Sequence, residues 1–547
     1  MATDHFQAST LAGARFKRAF SHHWHVGAIV AVLLLFGFIR YRLRDFPLER
    51  DEGEYAYAGQ LILQGVPPYK LAYSMKLPGT YVAYSAILGV FGQTPAAIHL
   101  GLLLVNAATV LLVYFLGARL SGRIGGVVAS AWYALLSAGQ SVLGMAAHST
   151  HFVVLPALAG LLVLLAAVES KRTLLYGLSG LFLGLSFLMK QPGISFLAFA
   201  FLYLVFCECR RRPVAWRQAL RRVGAFSLAS AIPFVITCLI LYATGVFGRF
   251  WFWTVTYAGK YASLMDATHG LEELNVIFPK IAGPCFGIWM LSACGLTAFL
   301  WNRVARQQAV FSLGFTLFSI LAVCPGLWFR PHYFILLLPA AALLAGMAVG
   351  SACDSLQGRG ALLRVMPVLA FILAFGFSVS RQSRFFFHID PLTACRETYG
   401  AVPFAESQEV AKYLRDHTPG DARIAVLGSE PQIYFYSGRH AATGYIYTYP
   451  LMEPQPYAGE MQKEMIHEIE LARPDYLVVV NIPSSWTRWL NSERHIDSWM
   501  ARYTANGYVL DGVVELNESG PTGYHWGDDA RSYRPLSGLT LDIMKRK

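Results

Sequence analysis

Long apolar runs alternate with short, basic polar stretches over the first two thirds of the chain. A bilayer span needs about 20 consecutive apolar residues. Eleven stretches approach that length: about 25–41, 95–118, 124–144, 151–169, 172–190, 194–207, 224–245, 281–301, 309–326, 332–349 and 364–380. Arg15, Lys17 and Arg18 precede the first stretch, and Arg40, Arg42 and Arg44 follow where a small-residue cleavage site would stand. It therefore reads as a signal anchor rather than a signal peptide. Beyond residue 380 the pattern changes. ARIAVLG (422–428) and DYLVVVN (475–481) are short β-rich runs bounded by turn residues, and 406–417 and 459–472 are apolar at helical period. The pattern predicts an α-helical polytopic membrane protein of about eleven spans over residues 1–380, followed by a soluble α/β domain over 381–547.

Composition agrees. Of 547 residues, 55% are hydrophobic and only 14% charged, with mean hydropathy +0.43. Soluble domains carry about 25% charged residues, so an ordinary soluble enzyme, a disordered chain and a small disulfide-rich domain are all excluded. The net charge of +12 is unevenly spread. Residues 1–380 hold 28 Lys/Arg against 12 Asp/Glu, whereas residues 381–547 hold 17 against 21. No nucleic-acid-binding signature accompanies the basic part, so nucleic acid is not an expected partner. Basic membrane loops and a phosphate-bearing partner account for the charge. The loop distribution of Lys/Arg puts the N-terminus inside, and an odd number of spans then puts residues 381–547 outside. Seven of the eight cysteines lie in the apolar part or its loops. Cys395 alone cannot build a disulfide framework in the tail, and all eight read as structural.

Acidic residues are scarce enough to be informative. Between Tyr55 and Ser380 there are six: Glu169, Glu208, Asp266, Glu272, Glu273 and Asp354. Four more crowd one short segment after the first span, LERDEGEYAYAG: Glu49, Asp51, Glu52 and Glu54. The bland reading is a helix start, with Asp51 as N-cap and Glu54 completing a capping-box-like pair. The sharper reading is a carboxylate held at the membrane face as a general base. The two are compatible, because a cap fixes the position of an acid.

The same outer loop, about residues 42–94, carries Lys70 and Lys76, the latter in a KLPG turn. Other predicted outer positions add cations. Lys190 ends a span in LMKQPG, Lys260 sits in the aromatic run WFWTVTYAGKY, and Arg330, His332 and Tyr333 precede the span that begins RPHYF. Each alone is more often an interfacial anchor. Together they face a loop of acids, and cations can stabilise a phosphate leaving group. No Asp-rich metal motif and no nucleotide-binding motif is visible. The SHHWH cluster (21–25) is predicted on the inner side, away from these residues, so no metal is assigned to the site.

LERDEGEYAYAG followed by MKLPGTYVAYSAILGVFG resembles the first outer loop of polyprenyl-phosphate-sugar-dependent glycosyltransferases of the GT-C superfamily. The branch is the bacterial one related to protein O-mannosyltransferases and lipid A aminoarabinose transferases. RPHYFILLLPAAALLAG and LSFLMKQPG resemble that family's late Arg/His-Tyr and Lys-containing span ends. The resemblance spans roughly residues 25–350. It implies an inverting transfer of a monosaccharide from a polyprenyl-phosphate sugar to an acceptor hydroxyl or phosphate at the outer face of the bacterial inner membrane. The acceptor would be a glycolipid, a polymer or a protein, and no other cofactor is implied. Asp51 matches the catalytic base and Glu52 the second acid. Lys76 matches the donor-phosphate lysine, with Arg330, His332 and Tyr333 near the same phosphate. Glu54, Lys70, Lys190 and Lys260 are further residues of the expected site. Many relatives have Lys-Pro-Pro-Leu where this chain has Lys76-Leu77-Pro78-Gly79, which implies a loop of different shape. A transporter or flippase of lipid-linked sugars is the alternative. Such proteins often place charges at mid-membrane and carry inverted repeats. Here the charges gather in outer loops and no repeat is apparent.

Overall fold

The computed structural model describes residues 23–547 except 212, 214, 518 and 519. Arg15, Lys17, Arg18 and the first two residues of the histidine cluster, Ser21 and His22, lie outside the described residues.

Among the described residues, seven helices are long and apolar enough to cross a membrane, and four apolar helices are shorter. The membrane part begins with α1 (His23–Arg42), the short α2 (Arg50–Leu63) and α3 (Gly79–Phe91). Then follow α4 (Pro95–Ser137), α5 (Ser149–Ser170), α6 (Thr173–Met189), α7 (Gly193–Cys209) and α8 (Trp216–Ala243). Later helices run over Phe286–Trp301, Ala309–Val323, Leu338–Ser355 and Ala361–Arg381. Each of the eleven apolar stretches thus contains helix. Boundaries differ where local chemistry intervenes. α4 takes in the stretch 95–118 and residues 124–137 of the next, broken where Ser121 and Gly122 leave helical geometry. The stretch from 332 becomes α-helical only at Leu338, because Pro331–Leu336 winds as a 3-10 helix. α3, read as part of the outer loop, is a helix of 13 residues, too short to span alone.

The tail carries one six-stranded mixed sheet. Its strands are β1 (Arg423–Leu427), β2 (His440–Ala441), β3 (Tyr476–Asn481), β4 (Tyr508–Glu515), β5 (Gly523–Trp526) and β6 (Thr540–Arg546), in the order β2-β1-β3-β6-β4-β5. β1 pairs in parallel with β2 and β3, and the remaining pairings are antiparallel. β1 and β3 are buried along most of their length, which is why they read as continuous apolar runs rather than alternating ones.

The two parts meet on α2. Arg50, at its first turn, donates to Glu430 at 2.8 Å, with the Glu430 side chain fully buried. The backbone N–H of Leu48 donates to the Tyr436 hydroxyl at 2.9 Å, and that of Ala441 to the Tyr57 hydroxyl at 2.8 Å. A Cβ on Gly53 would lie 2.5 Å from the backbone nitrogen of Gln432, so only glycine lets the tail approach this closely. Arg50→Ala would leave the Glu430 carboxylate buried with Gln432 Nε2 as its remaining side-chain donor. Removing one partner of a buried pair costs about 3–5 kcal/mol. We expect a clear drop in the thermal unfolding midpoint of the detergent-solubilised protein; an unchanged midpoint would contradict this seating of the tail.

Candidate active site

The helix-start reading of the acidic segment is correct in kind but shifted by two residues. Glu49, not Asp51, is the N-cap of α2, and Glu52, not Glu54, completes the capping box: the Glu52 N–H donates to Glu49 Oε1 at 2.9 Å. Glu52 is fully buried and also accepts from the Ala147 N–H at 2.6 Å and pairs with His99 Nε2 at 3.0 Å. Its carboxylate ties α2 to α4 and to the segment before α5 rather than facing the site. The shift releases Asp51 and Glu54. Three residues apart, they share one face of the helix, and that face meets Lys76.

The Lys76 ammonium sits between them, 2.8 Å from Asp51 Oδ1 and 2.7 Å from Glu54 Oε2. Tyr81 donates to the other oxygen of Glu54 at 2.7 Å, and the Tyr55 ring lies 4.6 Å from the Lys76 nitrogen. The turn leading into α3 places the lysine. Tyr69 donates to the Lys76 carbonyl at 2.7 Å, and Gly79 packs where a Cβ would stand 2.5 Å from the Leu188 carbonyl oxygen. That close approach, rather than an unusual backbone angle, explains the glycine after Pro78. Burial alone would raise the Asp51 pKa. The Lys76 ammonium outweighs it and holds the carboxyl well below the usual range. Burial alone would likewise lower Lys76, and the two carboxylates hold it well above its usual value.

The second oxygen of Asp51 faces two imidazoles. His148 Nδ1 and His332 Nε2 each lie 3.9 Å from Oδ2, and their rings stack at 4.0 Å. Tyr333 stands edge-on to His332, and its ring is 4.4 Å from the Lys190 nitrogen. Lys190 is buried, yet its ammonium has no hydrogen-bond or ion-pair partner among the described residues. Arg330 is exposed and lies over the Trp328 ring at 5.2 Å, again with no ion pair among the described residues.

Asp51, Glu54, Lys76, Lys190, His332 and Tyr333 therefore gather at one place. Arg330 is two residues from His332. Lys70 and Lys260 are exposed and make no side-chain bond to this cluster. Sequence reasoning missed His148, a single histidine at a helix start, and Tyr447, whose hydroxyl donates to Asp51 Oδ1 at 3.1 Å. Tyr447 lay within GRHAATGYIYTYPL (438–451), an aromatic-rich polar run, but nothing in the run ties it to residue 51.

Asp51, His148 and His332 also bring three metal-ligand atoms within 4.8 Å of one another, a grouping invisible at their sequence spacing. Both ring nitrogens of His148 are buried without a hydrogen-bond partner, which suits a ligand. Two imidazoles and a carboxylate are a donor set that could hold a small divalent cation. The ion pair of Asp51 with Lys76 uses the other carboxylate oxygen and stands without it.

The family model described as dolichyl-phosphate-mannose-protein mannosyltransferase matches residues 77–237. No curated protein matches the sequence at a significant level. Among solved structures, ArnT from Cupriavidus metallidurans bound to undecaprenyl phosphate is similar with a TM-score of 0.59 at 16% identity, over 95% of this chain and 98% of that one. The archaeal oligosaccharyltransferase AglB from Archaeoglobus fulgidus, in complex with an inhibitory peptide and a dolichol-phosphate, is similar with a TM-score of 0.53 at 12% identity, over 96% of this chain and 77% of that one. The likeness extends through the tail as well as the membrane helices. The chain is thus similar in fold to these two membrane proteins, and residues 77–237 match the mannosyltransferase family model.

Proposed function

We propose that this protein transfers a monosaccharide from a polyprenyl-phosphate sugar to an acceptor hydroxyl or phosphate at the outer face of a bacterial inner membrane, with inversion at the anomeric carbon. The observation that carries this reading is Lys190, a residue buried beside the Asp51–Lys76 ion pair whose ammonium has no counter-ion among the described residues. A buried charge without a partner is costly, and an anionic ligand supplies one. The donor phosphate fits that place, with Lys76 and Arg330 as further cations and Tyr333 and His332 lining it.

The chemistry needs one base and a stabilised leaving group. Asp51 takes the proton of an acceptor hydroxyl as the acceptor oxygen attacks the anomeric carbon from the side opposite the phosphate. The bond from that carbon to the phosphate oxygen breaks, and the lipid phosphate leaves with its charge matched by the cations. No nucleotide is needed, because the lipid phosphate is itself the leaving group. In the free protein Asp51 is a weak base, since Lys76 stabilises its charge. A phosphate that draws Lys76 toward itself makes Asp51 more basic when donor is bound.

Asp51→Asn should reduce transfer by at least about a thousandfold while undecaprenyl phosphate binds within about twofold of wild type. Lys76→Ala and Lys190→Ala should each weaken that binding by about tenfold or more. Transfer into membrane-extract acceptor, together with filter binding of the labelled lipid phosphate, measures both. Done in detergent, where no compartments exist, the transfer assay also separates an enzyme from a flippase. A fully active Asp51→Asn would reject the base. Because Lys76 keeps Asp51 ionised in the free protein, the carboxylate protonates only below the usual carboxylate range. The acid limb of kcat/KM for the donor, which reports the free enzyme, should therefore lie below that of kcat, which reports the donor-bound one. Coincident limbs would show that Lys76 does not respond to the donor.

A further inference from the structure

The Asp51 carboxylate has two anchors on a single oxygen. Lys76 reaches Oδ1 from the first outer loop at 2.8 Å, and the Tyr447 hydroxyl reaches the same oxygen from the soluble domain at 3.1 Å. The two differ in what they can do next. Lys76 also serves Glu54 at 2.7 Å. Its three N–H groups are a finite set, so any bond given to a donor phosphate loosens its hold on the carboxylates. Tyr447 has no such competing partner in the cluster, and its place is fixed on both sides.

On one side, the Gly444 carbonyl accepts from the Tyr73 N–H at 2.7 Å, and the Gly444 N–H donates to Glu468 at 3.0 Å. A Cβ at Gly444 would stand 2.2 Å from the Tyr73 ring, so this segment sits directly on the first outer loop. On the other side, the Thr448 N–H donates to Ser429 Oγ at 3.0 Å and the Thr448 hydroxyl to the Ser485 carbonyl at 3.0 Å. Tyr449 donates to the Ser484 carbonyl at 2.8 Å. Tyr447 is thus presented to Asp51 by a segment pinned at once to the loop and to the sheet domain.

We infer that the soluble domain is a working part of the catalytic centre, with Tyr447 as a positioning residue whose hydroxyl keeps the Asp51 carboxylate in place when Lys76 turns to the donor phosphate. The inference rests on the transferase reading above. It gives the tail a part in the chemistry itself. With Oδ1 held, Oδ2 is left to meet the acceptor proton. A base misplaced by about 1 Å loses about a hundredfold in rate, which sets the size of the effect.

The test uses the full chain in lipid nanodiscs, with membrane extract as acceptor and undecaprenyl phosphate as the binding probe. Tyr447→Phe keeps the ring, which lies 5.5 Å from the Lys76 nitrogen, and removes only the hydroxyl. It should lower kcat by about ten- to a hundredfold while the donor KM and the dissociation constant of undecaprenyl phosphate stay within about twofold. In the Asp51→Asn background the same change should lower the residual rate no further, since its effect runs through the carboxylate. A wild-type kcat in Tyr447→Phe overturns the inference, because ring packing then suffices. A fall in lipid-phosphate affinity as large as the fall in kcat also overturns it, because Tyr447 then serves the donor or the fold. Should Tyr447→Phe unfold, 3-fluorotyrosine at 447 carries the test. It keeps the hydroxyl and strengthens it as a donor, so a changed kcat with unchanged lipid-phosphate binding supports the role and an unchanged kcat overturns it. The Asp51→Asn arm separates the two levels. If that variant is fully active, the transferase base falls and the inference with it. If it is inactive beside a fully active Tyr447→Phe, the inference alone falls.

Discussion

One ammonium group holds this site together. Lys76 bridges Asp51 and Glu54, and around that bridge α2, the segment leading into α3 and the C-terminal sheet domain converge. Taking three charges out of water costs several kcal/mol each, and a buried ion cluster is weak evidence of stability. Its persistence here has a different physical explanation. The carboxylates keep the lysine charged, the lysine keeps Asp51 ionised, and both states are those a phosphate-departure reaction requires. Lys190 lies beside the cluster without a hydrogen-bond or ion-pair partner of its own among the described residues.

The position of the bridge depends on the cap of α2. Because Glu49 and Glu52 satisfy the first N–H groups of the helix, Asp51 and Glu54 are free to face Lys76. The same helix carries Gly53, against which the tail packs, and Arg50, which pairs with Glu430. A helix of 14 residues therefore carries its own cap, the two carboxylates that meet Lys76 and the contacts with the tail. This explains why the acidic residues are so dense there and so sparse elsewhere in the membrane part.

Much of this was legible in the sequence, for reasons that differ by residue. The spans were legible because bilayer thickness imposes run length. Of the six strands of the tail, β1 and β3 were legible because strands buried along most of their length read as continuous apolar runs. Asp51 and Lys76 stood out because charge is rare in an apolar chain, and a family resemblance gave them roles. The cap was misread by two residues because Glu49, Asp51, Glu52 and Glu54 offer overlapping capping patterns, and only the positions of Ala147 and His99 select among them. Lys70 and Lys260 read as equals of Lys190, yet only Lys190 is buried beside the cluster. His148 and Tyr447 were beyond reach, since each meets Asp51 through tertiary structure alone, across 97 and 396 residues of chain.

The central claim is that the space bounded by Lys76, Lys190 and Arg330 receives a lipid phosphate, with Asp51 poised beside it. The most direct measurement is a cryo-electron microscopy structure of the full chain in nanodiscs with undecaprenyl phosphate. The account predicts phosphate density within hydrogen-bonding distance of the Lys190 and Lys76 ammonium groups, Lys76 drawn away from Asp51, and Tyr447 still on Asp51 Oδ1. Phosphate bound elsewhere, with Lys190 still unpartnered and the bridge from Lys76 to Asp51 and Glu54 unchanged, would contradict it.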